Sequence, residues 1–185
     1  MASMYFIAIV APGYINHDVL KWKLIMKERY GCEVALRSPA HITLIPPFWM
    51  EDALENNLKL ATDDFTTKRA CFEIELKNFG CFKPRVIYAD VVPTGALRGF
   101  QTELVDFLVG KALFPIRKDD HSFHPHITIA TRDLRKKSFY EAWAIFEKKE
   151  YNVRWTACGV SLLKHDQKNW AVIYTSQLKE DNLTT

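Results

Sequence analysis

Apolar positions along the chain fall into short runs and helical stripes, separated by polar turns. "YFIAIVAP" (Tyr5 to Pro12) is a continuous apolar run of the kind that makes a strand buried on both faces. Asn16 stands where a helix can be capped, Leu20, Trp22, Ile25 and Met26 supply its apolar positions, and Gly31 ends it. "HITLIPPF" is β-rich until Pro46-Pro47, which cannot continue a hydrogen-bond ladder. Leu54, Leu58, Ala61 and Phe65 then recur at spacings of four, three and four, the stripe of an amphipathic helix.

The second half repeats the alternation. "CFEIELKNF" and "RVIYADVV", with Gly80 and Pro84 between them, predict a hairpin. Thr94 can cap a helix whose inner face is Leu97, Phe100, Leu104, Phe107 and Leu108. A short strand around "HITIA" follows, then a helix after Asp133 with Leu134, Phe139, Trp143 and Phe146. "VRWTACGVSLLK" and "WAVIYTSQL" close the chain as two strands. The order is β-α-β-α-β-β-α-β-α-β-β, with no linker or low-complexity segment. The pattern predicts an α+β fold in which residues 1–185 form a single domain of two similar lobes, each a mainly antiparallel sheet with helices outside.

Composition changes this picture little. The chain has 185 residues, 48% hydrophobic and 25% charged, which suits one soluble domain with a full core. A net charge of +3 permits an anionic ligand but is far below the basic footprint of a protein that coats nucleic acid. No apolar run approaches the roughly eighteen residues of a membrane span, and no signal-peptide pattern opens the chain, so a cytoplasmic address is expected. Cys32, Cys71, Cys81 and Cys158 are scattered without a CxxC pair, and four reduced, partly buried thiols are expected.

The chemistry lies in a repetition. His41-Ile42-Thr43-Leu44 and His126-Ile127-Thr128-Ile129 share the pattern His-x-Thr-apolar. In a strand, residues i and i+2 share a face. Each motif therefore sets an imidazole beside a hydroxyl, with Ile42 and Leu44, or Ile127 and Ile129, behind them in a core. A lone histidine in a strand is ordinary, but two such motifs are not, since each match to His-apolar-Thr-apolar occurs by chance about 1% of the time. Near neutral pH one imidazole can accept a proton while another donates one. The hydroxyls can hold phosphate oxygens between them as charge builds. A singly charged phosphodiester needs no metal in such a site.

The paired motifs resemble those of the two-histidine (2H) phosphoesterase superfamily, and most closely its branch of bacterial 2′–5′ RNA ligases and cyclic nucleotide phosphodiesterases. The likeness takes in "YFIAIVAP", "AHITLIPPF", "FGCFKPRVIYADV", "HPHITIATR" and "VSLLKHD…WAVIYTSQL". It implies a bilobal, pseudo-twofold fold with one HIT strand from each lobe lining a central cleft. His41 and His126 would then be catalytic, Thr43 and Thr128 would hold the phosphate, and no cofactor would be needed. The implied reaction is opening of a 2′,3′-cyclic phosphate on a nucleotide or RNA end, to leave a 2′-phosphate, and the chain is expected to act as a monomer. His126 would activate water and His41 would protonate the leaving oxygen. Relatives often carry a basic residue after the second motif, as "HxTLAR". Here "HITIATR" has one residue more, and Arg132 shares the parity of His126 if the strand continues. Phe48, Phe82 and Tyr88 are candidates for stacking on a base.

Other readings compete. "DDHSFHPH" (Asp119 to His126) holds metal-ligand types, which would suit a metal-dependent hydrolase, although no HExxH accompanies it. An H-x-H-x-H triad fails because its third position is Thr128. An RNA-binding or RNA-ligase-like module of the same fold is the remaining alternative, and it lacks an RNP1 stretch.

Overall fold

The computed structural model describes residues 1–118 and 122–180. The opening apolar run forms β1 (Ala2–Val10), followed by α1 (Gly13–Tyr30), β2 (His41–Glu51), α2 (Glu55–Thr66), β3 (Phe72–Phe82) and β4 (Val86–Val91). The second half gives α3 (Gly95–Gly110), β5 (His126–Ala130), α4 (Lys136–Phe146), β6 (Asn152–Ala157), β7 (Gly159–His165) and β8 (Trp170–Gln177).

Two four-stranded antiparallel sheets result, ordered β2-β1-β7-β8 and β5-β4-β3-β6. The two orders correspond strand for strand. Each HIT strand is the edge of its sheet, and each pairs with a buried neighbour, β1 or β4. β2 and β5 lie against each other where the sheets meet. The exposed ladder edge of β2 is met in part by α3, where Gln101 Nε2 donates to the Leu44 carbonyl at 3.1 Å. α1 packs on β5, α4 on β4, and α2 on β7 and β8, so one apolar core runs through both halves.

β1 is covered on both faces, as its apolar run predicts. Tyr5, Ile7 and Ile9 enter the main core, while Phe6 and Ala8 join Leu163 in a second, small cluster on the other face. Thr94 caps α3 by accepting from the Leu97 N–H at 3.2 Å. No helix among the described residues is long and apolar enough to cross a membrane.

Several expectations need correction. β2 does not end at Pro46-Pro47: the two exposed prolines sit at a register shift opposite Tyr5–Ile7, and pairing with β1 resumes at Phe48 and runs to Glu51. "VRWTACGVSLLK" is not one strand: it breaks at Cys158, with β6 in one sheet and β7 in the other. The inner face of α1 is Ile15, Val19, Lys23 and Met26, whereas Leu20 and Ile25 are exposed. Its N-cap is Pro12, not Asn16. Cys71 and Cys158 are bonded rather than reduced, with Cα atoms 4.6 Å apart, because Phe72 pairs with Ala157 and places their neighbours side by side. Cys32 and Cys81 remain free thiols.

Candidate active site

His41 and His126 are each the first residue of an edge strand. Alternation then works as the sequence predicts: Ile42, Leu44, Ile127 and Ile129 are buried, while His41, Thr43, His126 and Thr128 are half-exposed on the opposite faces. Each imidazole is held in the same way. His41 Nδ1 lies 2.8 Å from the Pro39 carbonyl, and His126 Nδ1 lies 2.8 Å from the His124 carbonyl. A carbonyl can only accept, so the hydrogen sits on Nδ1, and Nε2 of the neutral ring is left with a lone pair on the far side. Both strands thus present an imidazole of one tautomer with a hydroxyl two residues on.

Thr43 and His126 line one cavity of about 670 Å³, together with Phe82, His124 and Gln101. That volume is in the range of about 300–1,000 Å³ typical of ligand sites. Its lining is cationic among the described residues, with Arg98, Arg117 and Lys118 against a single carboxylate, Asp106, which Lys118 meets at 2.6 Å.

The two histidines have unlike neighbours. The Phe6 ring packs on His41 with centroids 4.8 Å apart, and Phe6 in turn meets Trp170. Burial pushes the His41 imidazole down to about 4, and the nearby Lys23 and His126 charges act in the same direction. His126 instead pairs across the strands with Asp90, and cross-strand partners share a face. Burial lowers its pKa too and the His124 charge adds to the shift, while the hydrogen bond to the His124 carbonyl and, least, the Asp90 carboxylate oppose it. Tyr88 and Phe82 frame this side, with ring centroids 4.9 and 5.2 Å from that of His126. The Tyr88 hydroxyl is 3.1 Å from His124 Nε2.

The remaining sequence candidates divide. Phe82 and Tyr88 stand beside His126. Phe48 stacks near Tyr5 and lines an adjoining cavity of about 280 Å³, which shares Arg117 and Lys118 with the main one. Arg132 lies beyond β5, which ends at Ala130; it is exposed in a turn, so the strand parity that linked it to His126 does not extend to it. Asp119, Asp120 and His121 fall outside the described residues. Among the described residues no three of His, Cys, Asp and Glu gather as a metal ion requires. The sequence reading missed Arg98, Arg117, Lys118 and Asp90, none of which sits in a motif; only Asp90, by its strand parity with Tyr88, carried a readable signal.

A family model described as the 2′-5′ RNA ligase superfamily matches residues 15–169. The chain belongs to this superfamily, the 2H phosphoesterases. Its fold is shared with TT0787 of Thermus thermophilus, at 18% identity and a TM-score of 0.66 over 96% of this chain and 99% of that one. Escherichia coli LigT complexed with 3′-AMP is similar at 17% identity and a TM-score of 0.70, over 97% and 99% of the two chains. A further structure titled phosphoesterase aligns at 16% identity and a TM-score of 0.64, covering 97% and 99%. No curated protein matches the chain. Within the superfamily's frame, both HIT motifs fall inside the matched residues.

Proposed function

We propose that this 2H phosphoesterase is a metal-independent cyclic phosphodiesterase that opens 2′,3′-cyclic phosphates of nucleotides or RNA ends to 2′-phosphates. One observation carries the reading: two imidazoles of identical tautomer, each with a hydroxyl two residues on, at the facing edges of two sheets. In-line displacement at phosphorus needs a base on one side and an acid on the other. A neighbour of the same fold that holds a nucleoside monophosphate supports a nucleotide ligand.

The division of roles stays as the sequence predicts, since burial lowers both imidazoles and gives no ground to exchange them. His126 takes the proton of water at Nε2. His41 carries the proton that the leaving oxygen needs, a charge that the bound phosphate anion favours. The water oxygen bonds to phosphorus, the P–O3′ bond breaks, and O3′ receives the His41 proton. Thr43 and Thr128 donate to the non-bridging oxygens as their charge grows. Solvent then carries the proton from His126 back to His41. The protein acts as a cytoplasmic monomer in this reading.

The test is turnover of a panel of 2′,3′-cyclic nucleotides, cyclic-phosphate RNA ends and 2′–5′ oligonucleotides, with products resolved by phosphorus NMR. The expected result is a 2′-phosphate, formed at the same rate with and without a chelator. A rate abolished by chelation and restored by zinc or manganese would replace this reading with a metal-dependent one. Binding of RNA without turnover of any diester would replace it with a binding module.

A further inference from the structure

α1 carries two polar residues, half-buried Asn16 and buried Lys23, seven residues apart and therefore on one face. Asn16 Oδ1 accepts from the Ala40 N–H at 2.6 Å, and its Nδ2 donates to the Ala11 carbonyl. Lys23 Nζ donates to the Ser38 carbonyl at 2.9 Å. Between these two anchors lies Pro39, whose carbonyl takes the His41 Nδ1 hydrogen. Lys23 is 4% exposed. Burying an ammonium is costly, and among the described residues this one has no carboxylate partner to offset the cost. The cavity of about 410 Å³ beside it is lined by His17, Arg37, Asn169 and Trp170 and, among the described residues, by no acidic one. A methionine would pack at this position with less cost, so packing alone does not account for a lysine.

We propose that Lys23 is a positioning residue for His41: with Asn16 it clamps the Ser38–Ala40 segment so that Pro39 fixes the imidazole tautomer. The inference rests on the reading of His41 as catalytic. The charged and titratable groups facing His41 are Lys23 from α1 and His126 from β5, with Phe6 of β1 as its apolar neighbour. Those facing Lys23 across its cavity are His17 of α1 and Arg37 from the turn before β2. Burial brings Lys23 down to about 8, which still leaves it mostly charged at neutral pH.

Three variants separate anchor from charge. Lys23→Met removes both, Lys23→Gln keeps a donor without charge, and Lys23→Arg keeps both. Nitrogen-15 NMR titration of the imidazoles reads His41 directly, with or without substrate. Wild-type His41 is expected to hold its hydrogen on Nδ1 and to titrate below His126. In Lys23→Met its pKa should rise by about half a unit or more and the second tautomer should appear. Lys23→Gln should raise the pKa while keeping the tautomer, and Lys23→Arg should restore both. On a cyclic nucleotide, Lys23→Met should lower kcat about tenfold or more with KM within about twofold. A melting temperature at or above that of the wild type would exclude misfolding as the cause. A folded Lys23→Met protein whose His41 keeps its wild-type tautomer overturns the inference. If the wild type turns over no diester, the proposed function fails, while the titration still decides the role of Lys23.

Discussion

His41 and His126 share a motif, a tautomer and a place at the start of an edge strand, yet their neighbours differ. Replacing either by Ala should lower kcat by roughly 10²–10⁴ with the melting temperature little changed, since neither ring belongs to the apolar core. The pH profile tests the two-histidine mechanism. A base works above its own pKa and an acid below its own. Burial lowers both imidazoles, so both limbs of the kcat/KM bell should lie below the ordinary histidine value of about 6.5, one of them following His41 near about 4. A bound phosphate anion favours imidazolium, so the bell for kcat should sit at higher pH. A rate that climbs to a plateau above about pH 9 would mean hydroxide attack and end the two-histidine mechanism. At this scale sequence parity sufficed for His41, Thr43, His126 and Thr128, because alternation along a strand is local. It could not find Lys23, which a hydrophobic pattern scores as a surface position, and it misjudged Arg132 because nothing local marks Ala130 as the end of β5.

Among the elements, helices with a clean apolar stripe were legible: Leu58, Ala61 and Phe65 of α2, and Leu97, Phe100, Leu104 and Leu108 of α3, are buried as their spacing predicts. α1 was harder, since its inner face spends positions on Asn16 and Lys23 to hold the segment before β2. The break between β6 and β7 was illegible because the apolar content runs through Ala157, Cys158 and Gly159 while the chain changes sheets. The β3–β4 hairpin shows what one residue does for an element. Gly80 pairs with Tyr88, and a Cβ on Gly80 would lie 2.3 Å from Tyr88 Cε2 and 2.8 Å from its hydroxyl. Tyr88 is 4% exposed, and its ring packs on Phe82, His124 and His126. Gly80→Ala should therefore push the ring off its seat between His124 and His126, costing about 1–3 kcal/mol of stability and roughly tenfold in kcat/KM. A thermal melt paired with an assay well below the transition checks both, and wild-type values in each would show that the ring does not support the site.

For the whole molecule, matching strand orders in the two sheets bring the HIT strands together at one seam, and that arrangement was foreseeable only through the family resemblance. Spacing alone gives two lobes, but not which edges meet. The seam also sets what lies beyond the reacting phosphate. The main cavity is lined by His126 and by Arg98, Arg117 and Lys118, and the last two also line the adjoining cavity beside Phe48. A mononucleotide bound at the histidines has one phosphate to offer, whereas an RNA end carries further phosphates and a further base along this path. Each phosphate neutralised on a single strand contributes about −0.7 to the slope of log affinity against log salt. KM for a cyclic-phosphate oligonucleotide should thus rise more steeply with salt than KM for the cyclic mononucleotide. Arg117→Ala should raise the oligonucleotide KM and flatten its slope by about 0.7, while the mononucleotide KM stays within about twofold. Phe48→Ala should weaken the oligonucleotide alone, by the roughly 1–3 kcal/mol of one stacked base. If both variants treat the two substrates alike, the cationic lining is no strand path, and the cleft is built for a single nucleotide.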